Sequence, residues 1–237
     1  MSGGSNNAAS DDGSSVSGGR YNIASGKHSS VVGGGGDLTS SGNKAFGNYT
    51  TILGGKENVA GDANLIDHGV GKWSTVSGGR ANNTMGLVAS ISGGSSNVAG
   101  YCSSVSGGFH NTASGVLSSV SGGQYNTASA DSASVSGGDN NKATGQWASV
   151  SGGSYCEASD SHASVSGGNQ NKATGNCSSV SGGSNNTASG NSSSVSGGRE
   201  KEAGGGILWR AGDLWLNALG EWPMCTQLEI TGTGGAP

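Results

Sequence analysis

An apolar residue followed by Ser-Gly-Gly, or by Val-Gly-Gly after Val31 and Leu-Gly-Gly after Ile52, returns along the chain at Val16, Val31, Ile52, Val76, Ile91, Val105, Val120, Val135, Val150, Val165, Val180 and Val195, with Met1 in the same place at the start. Most steps are 15 residues, and one, from Ile91 to Val105, is 14. The steps Val31–Ile52 and Ile52–Val76 are longer, and read as insertions near 33–42 and 62–72. No 3.6-residue apolar period runs through the chain, and two or three Gly in every repeat would each cost a helix about 1 kcal/mol against Ala. Short strands joined by Gly turns fit the pattern instead. The reading is an all-β parallel β-solenoid, a β-roll of 13 coils over residues 1–203, with an apolar cap and tail over 204–237.

Strand alternation assigns the faces. With Val inward, the residue two before it is inward and always small, as at Ser29, Thr50, Ser103 and Ala133. The sixth residue after Val is almost always Asn: Asn82, Asn97, Asn111, Asn126, Asn141, Asn171 and Asn186 form the expected ladder, with Cys156 in an Asn place. The eighth is mostly Ala, and Gly such as Gly26, Gly115 and Gly145 follow at turns where positive φ is expected. The interior is therefore Val, Ala, Ser and Asn. One buried Val gives roughly 1.5–3 kcal/mol, whereas ordering each of 15 residues costs about 1–2 kcal/mol. Apolar burial alone loses. Coil-to-coil backbone bonds, with Asn amides bonding one another along the axis as in a stacked amide ladder, are expected to carry the fold collectively.

Two outward patterns stand out. Three residues before Val, a variable and bulky column runs through His28, Tyr49, Trp73, Val88, Cys102, Leu117, Trp147, His162 and Cys177. A row of exposed apolar side chains on a weakly cored rod points to contact with a subunit or a receptor, and Tyr49, Trp73, Val88, Leu117, Trp147 and His162 are its candidates. On both sides of Val, hydroxyls recur: Thr75 and Ser77, Ser90 and Ser92, Ser104 and Ser106, onward to Ser194 and Ser196.

Composition changes the picture only once order is set aside. Of 237 residues, 31% are hydrophobic and 49 are Gly, which by itself describes a disordered linker; thirteen copies kept in phase argue otherwise. The net charge is −4 with scattered Lys and Arg, against a nucleic-acid footprint. No apolar run is long enough to span a membrane. His28, His68, His110 and His162 lie in different coils, and no zinc spacing, calcium Gly-Gly-x-Gly-x-Asp pattern or phosphate-loop Lys is present. No catalytic set, metal or cofactor is expected. Cys102 and Cys177 share a column five coils apart, about 24 Å, beyond disulfide reach. Asn-x-Ser/Thr triplets begin at Asn48, Asn82, Asn176, Asn185 and Asn191, in a chain so rich in Asn and Ser that they carry little signal. The 206–230 segment holds Trp209, Trp215 and Trp222 among five leucines, and reads as a plug for the last coil. Opening inside a coil, the chain reads as a piece of a longer protein.

"SVSGGRYNIASGKH" (15–28) resembles the head repeat of trimeric autotransporter adhesins at Ser15, Val16, Gly19, Ala24 and Gly26; it departs from that family at Gly18, where an Ile is usual, and at Asn22. The resemblance spans about 1–203. It implies a left-handed roll, a parallel homotrimer, an extracellular, cell-surface or virion-fibre setting, and attachment to a host-surface or matrix receptor. "NTASGVLSSVSGG" (111–123) is similar, more weakly, to plant β-roll ice-binding proteins; that likeness implies action through the flat Ser/Thr face of Thr75, Ser77, Ser90, Ser92, Ser104 and Ser106. A filament stacking end to end is a third expectation.

Overall fold

A computed structural model describes residues 3–61, 71–205, 208–211 and 214–217. Each coil contributes two short strands, of two residues in all but the last, such as Ser119–Val120 and Thr127–Ala128. The Ser-Val strands pair in parallel with those of the next coil and build a valine sheet; the Thr-Ala strands do the same and build an alanine sheet. The described residues form 13 strands in the alanine sheet and 14 in the valine sheet. The chain is an all-β parallel solenoid of about 13 turns, with Val120 over Val135 and Ala128 over Ala143 in register. A third line of parallel bridges, Phe109 to Gln124 to Asp139, runs along the turn after the Gly pair; the two-strand reading of the sequence does not contain it.

The core is a thin seam. Val16 to Val195 and Ala24 to Ala203 are buried, and the small residues two before Val, Ser29, Thr50 and Ala133 among them, close the corner. Thr84 stands where Ala is usual, and its Oγ1 donates to Ser74 Oγ at 2.9 Å, which satisfies both hydroxyls inside.

Asn side chains hold the coils together, but not by bonding one another. Asn126 Nδ2 donates to Gly122 O of its own coil and Gly138 O of the next, both at 2.9 Å. Its Oδ1 accepts the Asn141 N–H at 3.0 Å. The same three bonds recur at Asn82, Asn97 and Asn111. The expected amide-to-amide ladder is thus an amide-to-backbone ladder. At this bend the Asn N–H finds no carbonyl on the coil beneath, and the amide oxygen below stands in for one.

The left-handed backbone positions also differ from expectation. Gly26, Gly115 and Gly145 are absent from the positive-φ set. They are small for another reason: a Cβ at Gly115 would lie 2.0 Å from the Ala130 carbonyl oxygen of the coil above. The left-handed glycine is the second of each Gly pair, such as Gly108 at φ +90, where a Cβ would also meet Gly123 O at 2.1 Å. Two further left-handed sites per coil carry ordinary side chains, one before the ladder Asn (Tyr21, Tyr125) and one three before Val (Trp73, Val88, Leu117). At these corners the N–H reverses and donates to the coil beneath, Trp147 to Asp131 O at 3.0 Å and Tyr125 to Phe109 O at 2.9 Å.

The 33–42 insertion leaves and re-enters through a short turn, Thr39–Ser41, pinned by Ser41 Oγ to Leu38 O at 2.6 Å, and Leu38 itself is exposed. Asn43 resumes the ladder after it, donating to Gly33 O and Gly55 O. Met1, the 62–70 part of the second insertion with Leu65, Ile66 and His68, and Trp222 and Cys225 lie outside the described residues. At the C-terminal end, Leu208–Ala211 pairs in parallel with Ser194–Gly197 and in antiparallel with Leu214–Asn217. Leu208 is the residue that turns into the core, whereas Trp209, read from the sequence as part of the plug, is 39% exposed beside Ser194.

Candidate functional site

The bulky column lies along one edge of the roll, at the left-handed corner. Tyr49, Trp73, Val88, Leu117, Trp147 and His162 all have φ between 55 and 60, and all are exposed. Left-handed φ costs an L-residue about 1–2 kcal/mol, and a β-branched Val there is an outlier. One coil apart, the side chains stack along the rod: His28 on Tyr49 at 5.2 Å, Tyr49 on Trp73 at 6.0 Å, and Trp147 on His162 at 4.8 Å, all within 27° of parallel. Stacked this way, the rings turn their faces to one another and their edges to solvent. The opposite edge carries a smaller cluster that the sequence reading missed, Phe109, His110 and Tyr125, with His110 and Tyr125 5.3 Å apart. These residues fall in two columns, four and five after Val, and each column alone looks irregular.

The hydroxyl columns lie on the outer face of the valine sheet. Thr75, Ser90 and Ser104 are directly in register, and the column continues through Ser119 and Ser134 to Ser194. Ser77, Ser92 and Ser106 form the second rank and are exposed. Hydroxyls bond along the rank where rotamers allow, as between Ser179 and Ser194 at 3.0 Å. Beyond the second rank runs the first Gly of each pair, where a Cβ at Gly107, Gly122 or Gly137 would have nothing within 4 Å. Gly107, Gly122 and Gly137 have neither a positive φ nor crowding. The coil itself does not require them.

The histidines stay apart: His28 and His162 sit in distant coils of the same corner column and His110 on the opposite edge. Among the described residues, no group of three or more His, Cys, Asp or Glu side chains comes together, and no helix is long and apolar enough to cross a membrane. Cys156 fills a ladder place poorly: its Sγ is 3.6–3.7 Å from Ser154 O, Gly167 O and Gly168 O. Burial pushes its thiol pKa up. The Arg80 guanidinium beside Glu57, at 3.1 Å, lowers that carboxyl. Asn82, which opens one of the glycosylation-type triplets, is fully buried in the ladder.

Fold and surface together define a repeat protein of the parallel β-solenoid class. Compared with protein-family models and with curated proteins, the chain matches none.

Proposed function

We propose that this chain is a structural and adhesive segment of an extracellular fibre or surface adhesin, acting by contact and not by catalysis. The observation that carries the reading is the left-handed corner column. Nothing in the coil requires Trp, Val or Leu there; Ser132 and Ser192 take the same φ. Bulky side chains held at an unfavourable φ and exposed to solvent suggest selection for what they touch. With this edge given to a partner, the homotrimer implied by the adhesin resemblance has to pack through a sheet face.

The test is retention of beads coated with the chain on plates coated with extracellular-matrix extract. A variant with Trp73→Asn, Val88→Asn and Leu117→Asn keeps the corner, because Asn accepts left-handed φ readily. Loss of retention is the expected result; unchanged retention overturns the edge as the adhesive surface. Light scattering should give about three times 22.8 kDa, and a monomer removes the trimer.

A second reading, an ice-binding protein, rests on the Ser/Thr rank before each core Val or Ile and the glycine rank of the valine sheet; the rank after Val is hydroxyl without a break from Ser77 onward, with exposed Val32 and Leu53 in its place in two earlier coils. A flat, uncharged array repeating every coil, about 4.8 Å, suits an ordered water lattice. Ice crystals that grow unshaped in the presence of the chain would remove this reading. Filament formation by end-to-end stacking is checked by electron microscopy of the same sample.

A further inference from the structure

The corner column is interrupted once in its bulkiest stretch. Leu117 and Trp147 stand two coils apart, and between them the corner residue is Ser132. At about 4.8 Å per coil the two bulky side chains are roughly 9–10 Å apart, and their own thickness leaves room for one flat group. Trp147 stacks on His162 through one face of its indole; the other face looks down on Ser132. The indole is 50% exposed and Leu117 is 65% exposed, so the gap opens to solvent.

The charge around the gap has one sign. Asp131 precedes Ser132 and is exposed; its Oδ1 accepts the Val116 N–H at 3.2 Å. Farther along the same edge, two coils above Ser132 on the His162 side of Trp147, Asp160 is also exposed, with its Oδ1 on the Ser161 N–H at 2.7 Å. No Lys or Arg occupies this edge in the turns 86–88, 100–102, 115–117, 130–132, 145–147, 160–162, 175–177 or 190–192. An indole face with a carboxylate at its side and no competing cation is the environment that takes a guanidinium, which is flat, stacks on aromatic rings and pairs with carboxylates. A neutral sugar ring would gain nothing from the carboxylates' charge.

We infer that the slot over Ser132, walled by Leu117 and Trp147 and flanked by Asp131, seats an arginine side chain of the partner. This deepens the reading of the edge as the adhesive surface and rests on it. The partner is then a protein whose contacting segment is basic, and the slot gives that contact a fixed register along the rod.

The experiment titrates the full chain with arginine amide and, separately, with citrulline amide, its neutral isostere, following backbone amide and indole NMR shifts. Arginine amide should move the Ser132 and Trp147 signals, with a dissociation constant on the order of 1–10 mM for a single exposed seat. Citrulline amide should not. Ser132→Leu fills the slot, and Leu117 shows that Leu is accepted at this corner with φ 60; it should abolish the shifts while leaving the circular-dichroism spectrum unchanged. Asp131→Asn should weaken binding about two- to fivefold, and so should added salt. Shifts that are absent, equal for citrulline amide, or retained in Ser132→Leu overturn the inference. The two readings fail separately. If the triple edge variant loses bead retention but arginine amide does not bind, the slot falls and the adhesive edge stands; if bead retention is unchanged, the edge reading falls whatever the slot binds.

Discussion

The two sheets of the roll are built alike and dressed differently. Both use two-residue parallel strands in register, one residue in and one out. On the alanine sheet the outward residue drifts freely from coil to coil: Val98, Thr112, Thr127, Lys142, Glu157 and Lys172 follow one another. On the valine sheet the same outward place is Ser or Thr in every coil from Ser15 to Ser194, and the neighbouring Gly rank is unbroken. Since the alanine sheet folds with mixed outward residues, the roll does not need uniformity outside. Inward uniformity comes from packing against the next coil. Outward uniformity on one face only points to a demand from beyond the coil, and it separates a face that needs translational regularity from one that merely has to stay soluble.

The adjacent glycines of one pair give the sharpest test of inner against outer demand. Gly108→Ala should destabilise on the order of 3 kcal/mol, since it adds left-handed strain and drives a Cβ toward Gly123 O. Gly107→Ala should change stability by less than about 1 kcal/mol, because its Cβ meets nothing and the substitution restrains the unfolded chain. Equal losses in urea unfolding would show that the outer glycines are structural after all. Next in size, Asn126→Ala should cost roughly 3 kcal/mol, because it strands Gly122 O and the Asn141 N–H and leaves Gly138 O with the Gln124 N–H alone.

The reverse change comes at Cys156. Cys156→Asn restores the amide ladder and should raise stability by about 1–2 kcal/mol. It should also flatten an alkaline slope. Burial raises the Cys156 pKa in the folded chain, so its contribution is present below the ordinary thiol range and is lost as pH rises through that range, where only the unfolded chain ionises. Urea midpoints at pH 7 and pH 10, wild type against variant, check both points. The smallest effect tests the permissive face. Glu157→Lys sets three Lys in consecutive register with Lys142 and Lys172 and should lose about 0.5 kcal/mol, recovered in high salt. The Glu57–Arg80 pair works in the opposite direction to Cys156: its lowered carboxyl pKa adds stability above the ordinary carboxylate range that disappears on acidification.

Phase alone made much of this legible. A 15-residue return of Val, Asn and Ala states which residues face inward, because a stack can reuse a coil only if each coil presents the same surface to the next. The insertions followed from two long steps, and the bulky corner column and hydroxyl ranks followed from alternation. What the Asn amide bonds to was not legible, since the pattern is equally regular whether amides meet each other or meet backbone. Nor was the left-handed corner at Val88 or Trp147, because propensity argues against it at every such residue.

Periodicity along the chain settles the repeat, the inward set and the parallel stacking, all consequences of a period that must be kept for coils to share backbone bonds. Only the stacked coils reveal which of two adjacent glycines is indispensable, where each amide spends its hydrogen bonds, and that Ser132 opens a gap between Leu117 and Trp147. Those depend on where a carbonyl of the neighbouring coil or the face of a neighbouring ring comes to lie, and residues fifteen or thirty apart have no fixed distance until the coils are stacked.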